Sequence, residues 1–202
     1  MEFVPVAPAH YRRMAELHCE GMAGGFLPSL GPRFLEALYA AMFDSGAARG
    51  AVAIEGGEPI AFCYYTEDHA SFFRRVLRRA SWRLPFWAAV GCARRPRLLL
   101  WLVETLRYGG RADVPGVSAE IYAWAVDARF RRRRVGWRVL DATEAMMQAE
   151  GIRAYQHTVY DDNDTAIDIY AQRGHERVGR FELYGRPWAL YRVDFAARVR
   201  RA

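Results

Sequence analysis

The spacing of apolar and polar positions changes several times along the chain, and each change predicts an element. Glu2–Val6 is a short apolar run that predicts a first strand, and Ala7–Met22 predicts a helix. Gly24, Gly25 and Pro28 break the pattern. It restarts over Pro32–Phe43, where Phe34, Leu35, Leu38, Tyr39 and Met42 fall at helical spacing. Gly50–Ile54 and Ile60–Tyr65 are strand-like runs around Gly56 and Gly57, which is a hairpin signal. Ser71–Arg107 predicts two helices, with breaks near Pro85 and again near Pro96, and Arg111–Gly116 a loop.

Glu120–Val126 predicts a strand with Tyr122 and Trp124 on one face and Ile121, Ala123 and Ala125 on the other. Val135–Ala149 predicts a helix capped by Gly151. Ile152–Tyr160 is a further strand, Asp161–Asn163 a capping loop, and Asp164–Gln172 a helix closed by Gly174. Glu176–Tyr184 and Trp188–Phe195 form a final strand pair, and the polar tail from Ala196 is expected to fray. Strands and helices in this order predict an α/β fold, a mixed central sheet flanked by helices. The chain of 202 residues is expected to form one domain over residues 1–202.

Composition adds less than charge position. The sequence contains no lysine, so every strong cation behind the net charge of +6 is Arg. Arg-rich codon usage explains this more simply than an anionic partner does, so composition alone assigns no partner. From Ala70 to Arg111, however, there are ten Arg and one acid, Glu104. Cys19, Cys63 and Cys92 are widely spaced and odd in number, which fits a reducing compartment and gives no zinc or disulfide pattern. The start MEFVPVAPAHYRR lacks the apolar centre of a signal peptide. Leu84–Ala93 and Leu98–Val103 are each too short to span a bilayer, which takes about 20 residues. The expected location is the cytoplasm, with no stable membrane insertion.

The sharpest local feature follows Val126. Arg129 and Arg131–Arg134 crowd a turn between a predicted strand and a helix that begins near Val135, and Gly136 permits close backbone approach. Helix N-termini carry unpaired N–H groups and a partial positive charge, so this junction is suited to a pyrophosphate. A solvated basic loop is the plainer alternative.

Arg131-Arg132-Arg133-Arg134-Val135-Gly136 resembles the Q/R-x-x-G-x-G/A signature of the GNAT superfamily of acyl-CoA-dependent N-acyltransferases. Arg134 stands where the family has its first glycine. A second segment, Asn163 to His175, resembles the family's N-x-x-A-x-x-x-Y-x-x-x-G-F, with His175 at the usual aromatic position. The resemblance covers about Ala119–Phe195. It implies acetyl-CoA as co-substrate without a metal. It implies cofactor contacts from Trp124, Ala125, Val126, Arg131, Arg132, Arg133, Arg134, Val135, Gly136, Trp137, Asn163 and Arg173. The backbone of Trp124–Val126 is expected to pair with the pantetheine arm. Asn163 is equally suited to a helix N-cap.

Acyl transfer from a thioester to an amine requires removal of a proton from the amine and delivery of one to the leaving thiolate. The resemblance makes Tyr170 the acid. Glu120, sixteen residues before Gly136 on the predicted strand, resembles the base of the histone-acetyltransferase branch. Burial beside Tyr122 and Trp124 would raise its pKa toward a useful range. His157 is the second candidate base, although a core histidine is the simpler account of it. Asp161, Asp162, Asp164 and Asp168 either attract a cationic amine or favour a helix N-terminus.

The expected activity is N-acetyl transfer to a primary amine on a small molecule or peptide. A longer acyl-CoA or acyl carrier protein donor, or a catalytically silent acyl-CoA-binding module, are the alternatives. Residues 69–118 match nothing in the family core and read as a helical insertion. It covers the sheet or a second subunit in a homodimer, lies peripherally on an anionic membrane, or docks an acidic protein or walls a pocket for a longer chain. No base-reading motif supports nucleic-acid binding.

Overall fold

The computed structural model describes residues 1–107, 113–131 and 133–199. Seven strands form one sheet: β1 (Glu2–Pro5), β2 (Arg49–Glu55), β3 (Glu58–Thr66), β4 (Ala119–Val126), β5 (Ala154–Tyr160), β6 (Glu176–Leu183) and β7 (Arg186–Asp194). Their order is β1-β2-β3-β4-β5-β7-β6, and β4–β5 is the parallel pair among antiparallel neighbours. The mixed sheet flanked by helices is the architecture expected from the element order.

One face carries α1 (Tyr11–Gly21), the short α2 (Phe26–Ser29) and α3 (Pro32–Asp44), together with α4 (His69–Arg79), α5 (Arg83–Arg94) and α6 (Arg97–Arg107). Met14, Leu17, Leu35, Tyr39, Met42 and Phe62 are fully buried in that core. The opposite face carries α7 (Val135–Ala149), whose Val135, Val139, Leu140 and Met147 pack on Ala61, Cys63, Ile121 and Tyr155. Beside it α8 (Asp164–Gln172) packs Ala166 and Tyr170 against Val159, Ala189 and Tyr191.

Four local expectations are corrected. The segment from His69 to Arg107 holds three helices, and its first break falls at Ala80–Trp82. Pro85 lies in the first turn of α5, where a missing N–H costs nothing because that N–H has no intrahelical acceptor. The first predicted helix begins as a 3-10 turn, Pro8–His10. The tail forms α9 (Phe195–Val199), because Asp194 Oδ1 accepts from the N–H groups of Ala196 and Ala197 at 2.9 and 3.1 Å. Finally, β4 does not keep simple alternation. Tyr64 pairs with Ala123 and Tyr65 with Ile121, so Tyr122 is an extra residue, a β-bulge. Ile121 and Trp124 therefore pack toward α7, whereas Tyr122, Ala123 and Ala125 face the α1–α3 core.

Candidate active site

The bulge sits where β4 and β5 part. They pair only over Ala119–Ile121 against Tyr155–His157, although β4 runs on to Val126 and β5 to Tyr160. Beyond Ile121, β4 is held by β3 and β5 by β7. The inner edges of the two strands thus face a gap with backbone groups that the ladder leaves over. Trp124, Ala125 and Val126 form the β4 edge of that gap.

The N-terminus of α7 stands at its mouth. A methyl group added to Gly136 would lie 3.2 Å from Val126 Cγ2, so glycine is what lets the helix approach the strand end. Arg134, the N-cap, has φ +55° and ψ +19°. It holds the left-handed conformation a glycine would take, so the turn keeps that backbone shape without the glycine. The N–H groups of Val135, Gly136 and Trp137 open this helix and need partners from outside it. Arg131, Arg133 and Arg134 are exposed and form no ion pair among the described residues. Arg133 lies 5.3 Å over the Phe130 ring. Arg132 lies outside the described residues.

Asp127 builds the turn itself, and sequence reasoning passed over it. It is buried and accepts from the Arg129 N–H at 2.9 Å and from the Arg129 guanidinium at 2.8 Å. Arg13 of α1 reaches it at 2.7 Å. These donors, Arg129 first, hold its carboxyl down at about 2. Arg129 is thus committed to Asp127 rather than to a ligand. An Asp followed two residues later by a turn is an Asx-turn signal legible in the sequence.

Tyr170, from the middle of α8, is buried, with its ring 5.8 Å from that of Trp124. Its hydroxyl makes no hydrogen bond among the described residues. Burial pushes its pKa above the usual tyrosine value. His157 and His175 flank the ring at 4.3 and 5.2 Å. His157 Nε2 lies 2.9 Å from His175 Nδ1, and burial, then His175, drives the His157 pKa well below 6.5. His157 pairs in register with Ile121, on the α7 side of the sheet, away from Glu120.

Glu120 opens β4 and is buried, 9% exposed. Burial raises its pKa to about 8. Hydrogen bonds from Gln156 and Tyr122 oppose the rise, and the Asp113 charge adds to it. Gln156 Nε2 lies 3.4 Å from its carboxylate, and Gln156 Oε1 accepts from the Val114 N–H at 2.9 Å. His69, the first residue of α4, lies 3.9 Å away. Both roots of the three-helix segment therefore frame this carboxylate. Gln156 and His69 carried no local sequence signal, since they meet Glu120 only through folding. Glu120 and Trp124 are four residues apart, roughly 13 Å along a strand. Tyr170 also packs on His157, which pairs with Ile121 on the α7 side, whereas Glu120 lies by Tyr64 and Tyr122 on the α1–α3 side, so the two groups lie on opposite faces of the sheet.

Asn163 caps α8, with Oδ1 accepting from the Ala166 N–H at 3.2 Å. Arg173 has a side chain that is only 5% exposed and is bound by Asp141 at 2.7 Å and Glu144 at 2.8 Å. It stacks over Trp137 at 5.5 Å and ties α8 to α7 instead of offering a free cation. Asp161 pairs with Arg177 and Arg180, and Asp162 with Arg186, so these two carboxylates carry their own counterions. No group of three or more His, Cys, Asp or Glu is placed to hold a metal ion among the described residues.

The sequence of residues 13–175 matches the acetyltransferase (GNAT) family. A search of curated proteins by sequence returned no match. Solved structures share the fold. A ribosomal-protein-alanine N-acetyltransferase from Brucella melitensis superposes with TM-score 0.62 at 10% identity, covering 96% of this chain and 100% of that one. An N-acetyltransferase from Staphylococcus aureus Mu50 gives 0.60 at 12%, covering 96% and 99%. The NatC complex bound to Gag peptide and CoA gives 0.55 at 12%, also covering 96% and 99%.

Proposed function

The chain belongs to the GNAT acetyltransferase family, and from that membership we propose that it moves an acetyl group from acetyl-CoA to a primary amine. The observation that carries this reading is the parting of β4 from β5 beside the Arg134–Gly136 helix start. A pyrophosphate fits the N–H groups of Val135, Gly136 and Trp137, with Arg131, Arg133 and Arg134 supplying charge. The amide-bearing pantetheine arm fits the free backbone edge of Trp124–Val126. The NatC neighbour is bound to CoA, and the same kind of ligand suits this gap.

In the reaction, the amine nitrogen forms a bond to the thioester carbonyl carbon as the carbon–sulfur bond breaks. Glu120 takes the amine proton, through water because its side chain lies on the opposite face of the sheet from Tyr170. Its pKa of about 8 keeps it near the balance point between proton acceptance and release. Tyr170 gives a proton to the departing sulfur. Its raised pKa keeps the phenol protonated and available to donate. Gln156 and Tyr122 hold the Glu120 carboxylate in place.

Calorimetry with CoA, followed by turnover with acetyl-CoA and a panel of small-molecule and peptide amines, tests this. Absence of CoA binding removes the reading. Turnover with long acyl donors and none with acetyl-CoA replaces acetyl transfer by longer acyl transfer. The sequence contains no lysine, so any acetylation of an amine on the enzyme itself is confined to its N-terminus.

A further inference from the structure

The outward sides of α4, α5 and α6 carry a charge and apolar pattern that the proposed chemistry does not use. Each helix turns one side into the α1–α3 core, through Phe72 and Val76, Leu84 and Cys92, and Leu98. Gly91 brings α5 so close to Leu30 that a Cβ would lie 2.8 Å from its Cδ2, which seats the helix firmly. What remains outside is unusual for a protein surface. Phe73 and Leu77 on α4, Trp82 and Phe86 at the start of α5, and Leu99 and Leu100 on α6 are all exposed, Trp82 by 74% and Leu100 by 72%. Singly exposed apolar residues are ordinary, but these recur one turn apart, Phe73 with Leu77, Trp82 with Phe86 and Leu99 with Val103, and such exposed apolar stripes mark a contact surface.

From Ala70 to Val103 the chain has eight Arg and no acid. Arg75 is held by Glu67 at 3.3 Å. Arg74, Arg78, Arg79, Arg94, Arg95 and Arg97 are exposed and form no ion pair among the described residues. We propose that this face docks on an anionic lipid surface, with the aromatic and Leu side chains in the headgroup–acyl boundary and the Arg side chains on lipid phosphates. Interleaved Arg with exposed Trp, Phe and Leu matches such an interface, where Arg stems lie along apolar surface while their heads meet charge. A second copy of the chain fits poorly, because a two-fold contact would set one Arg cluster against another. No helix among the described residues is long and apolar enough to cross a membrane, so the contact is peripheral.

Sedimentation of the full chain with vesicles tests this. With 30% phosphatidylglycerol in phosphatidylcholine at 50 mM salt, the protein is expected to pellet, and at least ten-fold more weakly with phosphatidylcholine alone. R78Q/R79Q should weaken partition roughly five-fold for each charge removed. Leu100→Glu with Trp82→Ser, both at exposed positions, should abolish it while CoA binding persists. Failure to pellet with anionic vesicles overturns the proposal, as does partition that both variants leave unchanged. Binding to an acidic polypeptide but not to vesicles also overturns it, in favour of a protein partner, and so does a dimer that hides the face. CoA calorimetry on the same samples separates failure here from failure of the proposed activity.

Discussion

Gly136 approaches Val126 so closely that one added methyl would sit 3.2 Å from Val126 Cγ2. Two residues earlier, Arg134 holds a left-handed backbone. One position is set by close approach and the other by backbone conformation, and they make opposite predictions.

Gly136→Ala should push α7 off the end of β4 by a few tenths of an ångström. The expected result is several-fold weaker CoA binding with little change in thermal stability, since alanine also favours the helix. Arg134→Gly should relieve left-handed strain and raise stability by up to about 1 kcal/mol, less the entropy glycine adds to the unfolded chain. Calorimetry and thermal denaturation read the two effects separately.

Glu120→Gln should remove the ascending limb of the pH–rate profile, which in the parent rises through about pH 8 as the carboxylate ionises. Stability gives an independent reading. The folded pKa lies above the unfolded value, about 4.3 for Glu, so the folded state binds the proton more tightly. That contribution is complete below about pH 4 and is lost as pH rises toward 8. Denaturant titrations across pH 5–9 should show a falling stability in the parent and a flatter curve in the variant.

Tyr170→Phe keeps the ring packing against Trp124 and His157 and deletes only the hydroxyl. The expected loss is about 10²-fold in kcat with KM for acetyl-CoA nearly unchanged. The Tyr170 pKa is raised, so the parent should show no loss of activity below pH 10 from this group. A fall in kcat of less than three-fold would remove Tyr170 as the acid.

Arg173→Ala should leave Glu144 buried without its cation and cost roughly 3 kcal/mol. The combined change of Arg173→Met and Glu144→Met should recover much of it, because neither charge is then left alone. If Arg173 instead served the cofactor, the single change would weaken CoA binding at full stability, and paired stability and binding measurements distinguish the outcomes.

Much of this architecture was legible from local pattern. The hairpin around Gly56–Gly57, the helix from Val135, and the strand–turn–helix carrying Arg131–Gly136 each depend on neighbours a few residues apart, and period and turn chemistry record those. The Asn163 cap was legible for the same reason. Pro85 misled because proline marks either a break or a first turn, and its helix start at Trp82 has no side-chain cap to announce it.

What only the tertiary structure decided depends on residues far apart in the chain. The Tyr122 bulge arises from pairing with β3, and it reverses which face Trp124 presents. The Glu120 pKa follows from burial beneath residues near 69, 113 and 156. The role of Arg173 follows from carboxylates about thirty residues away on α7. Sequence spacing carries periodicity and turn chemistry. Desolvation and charge pairing act through space, and only the packed chain sets them.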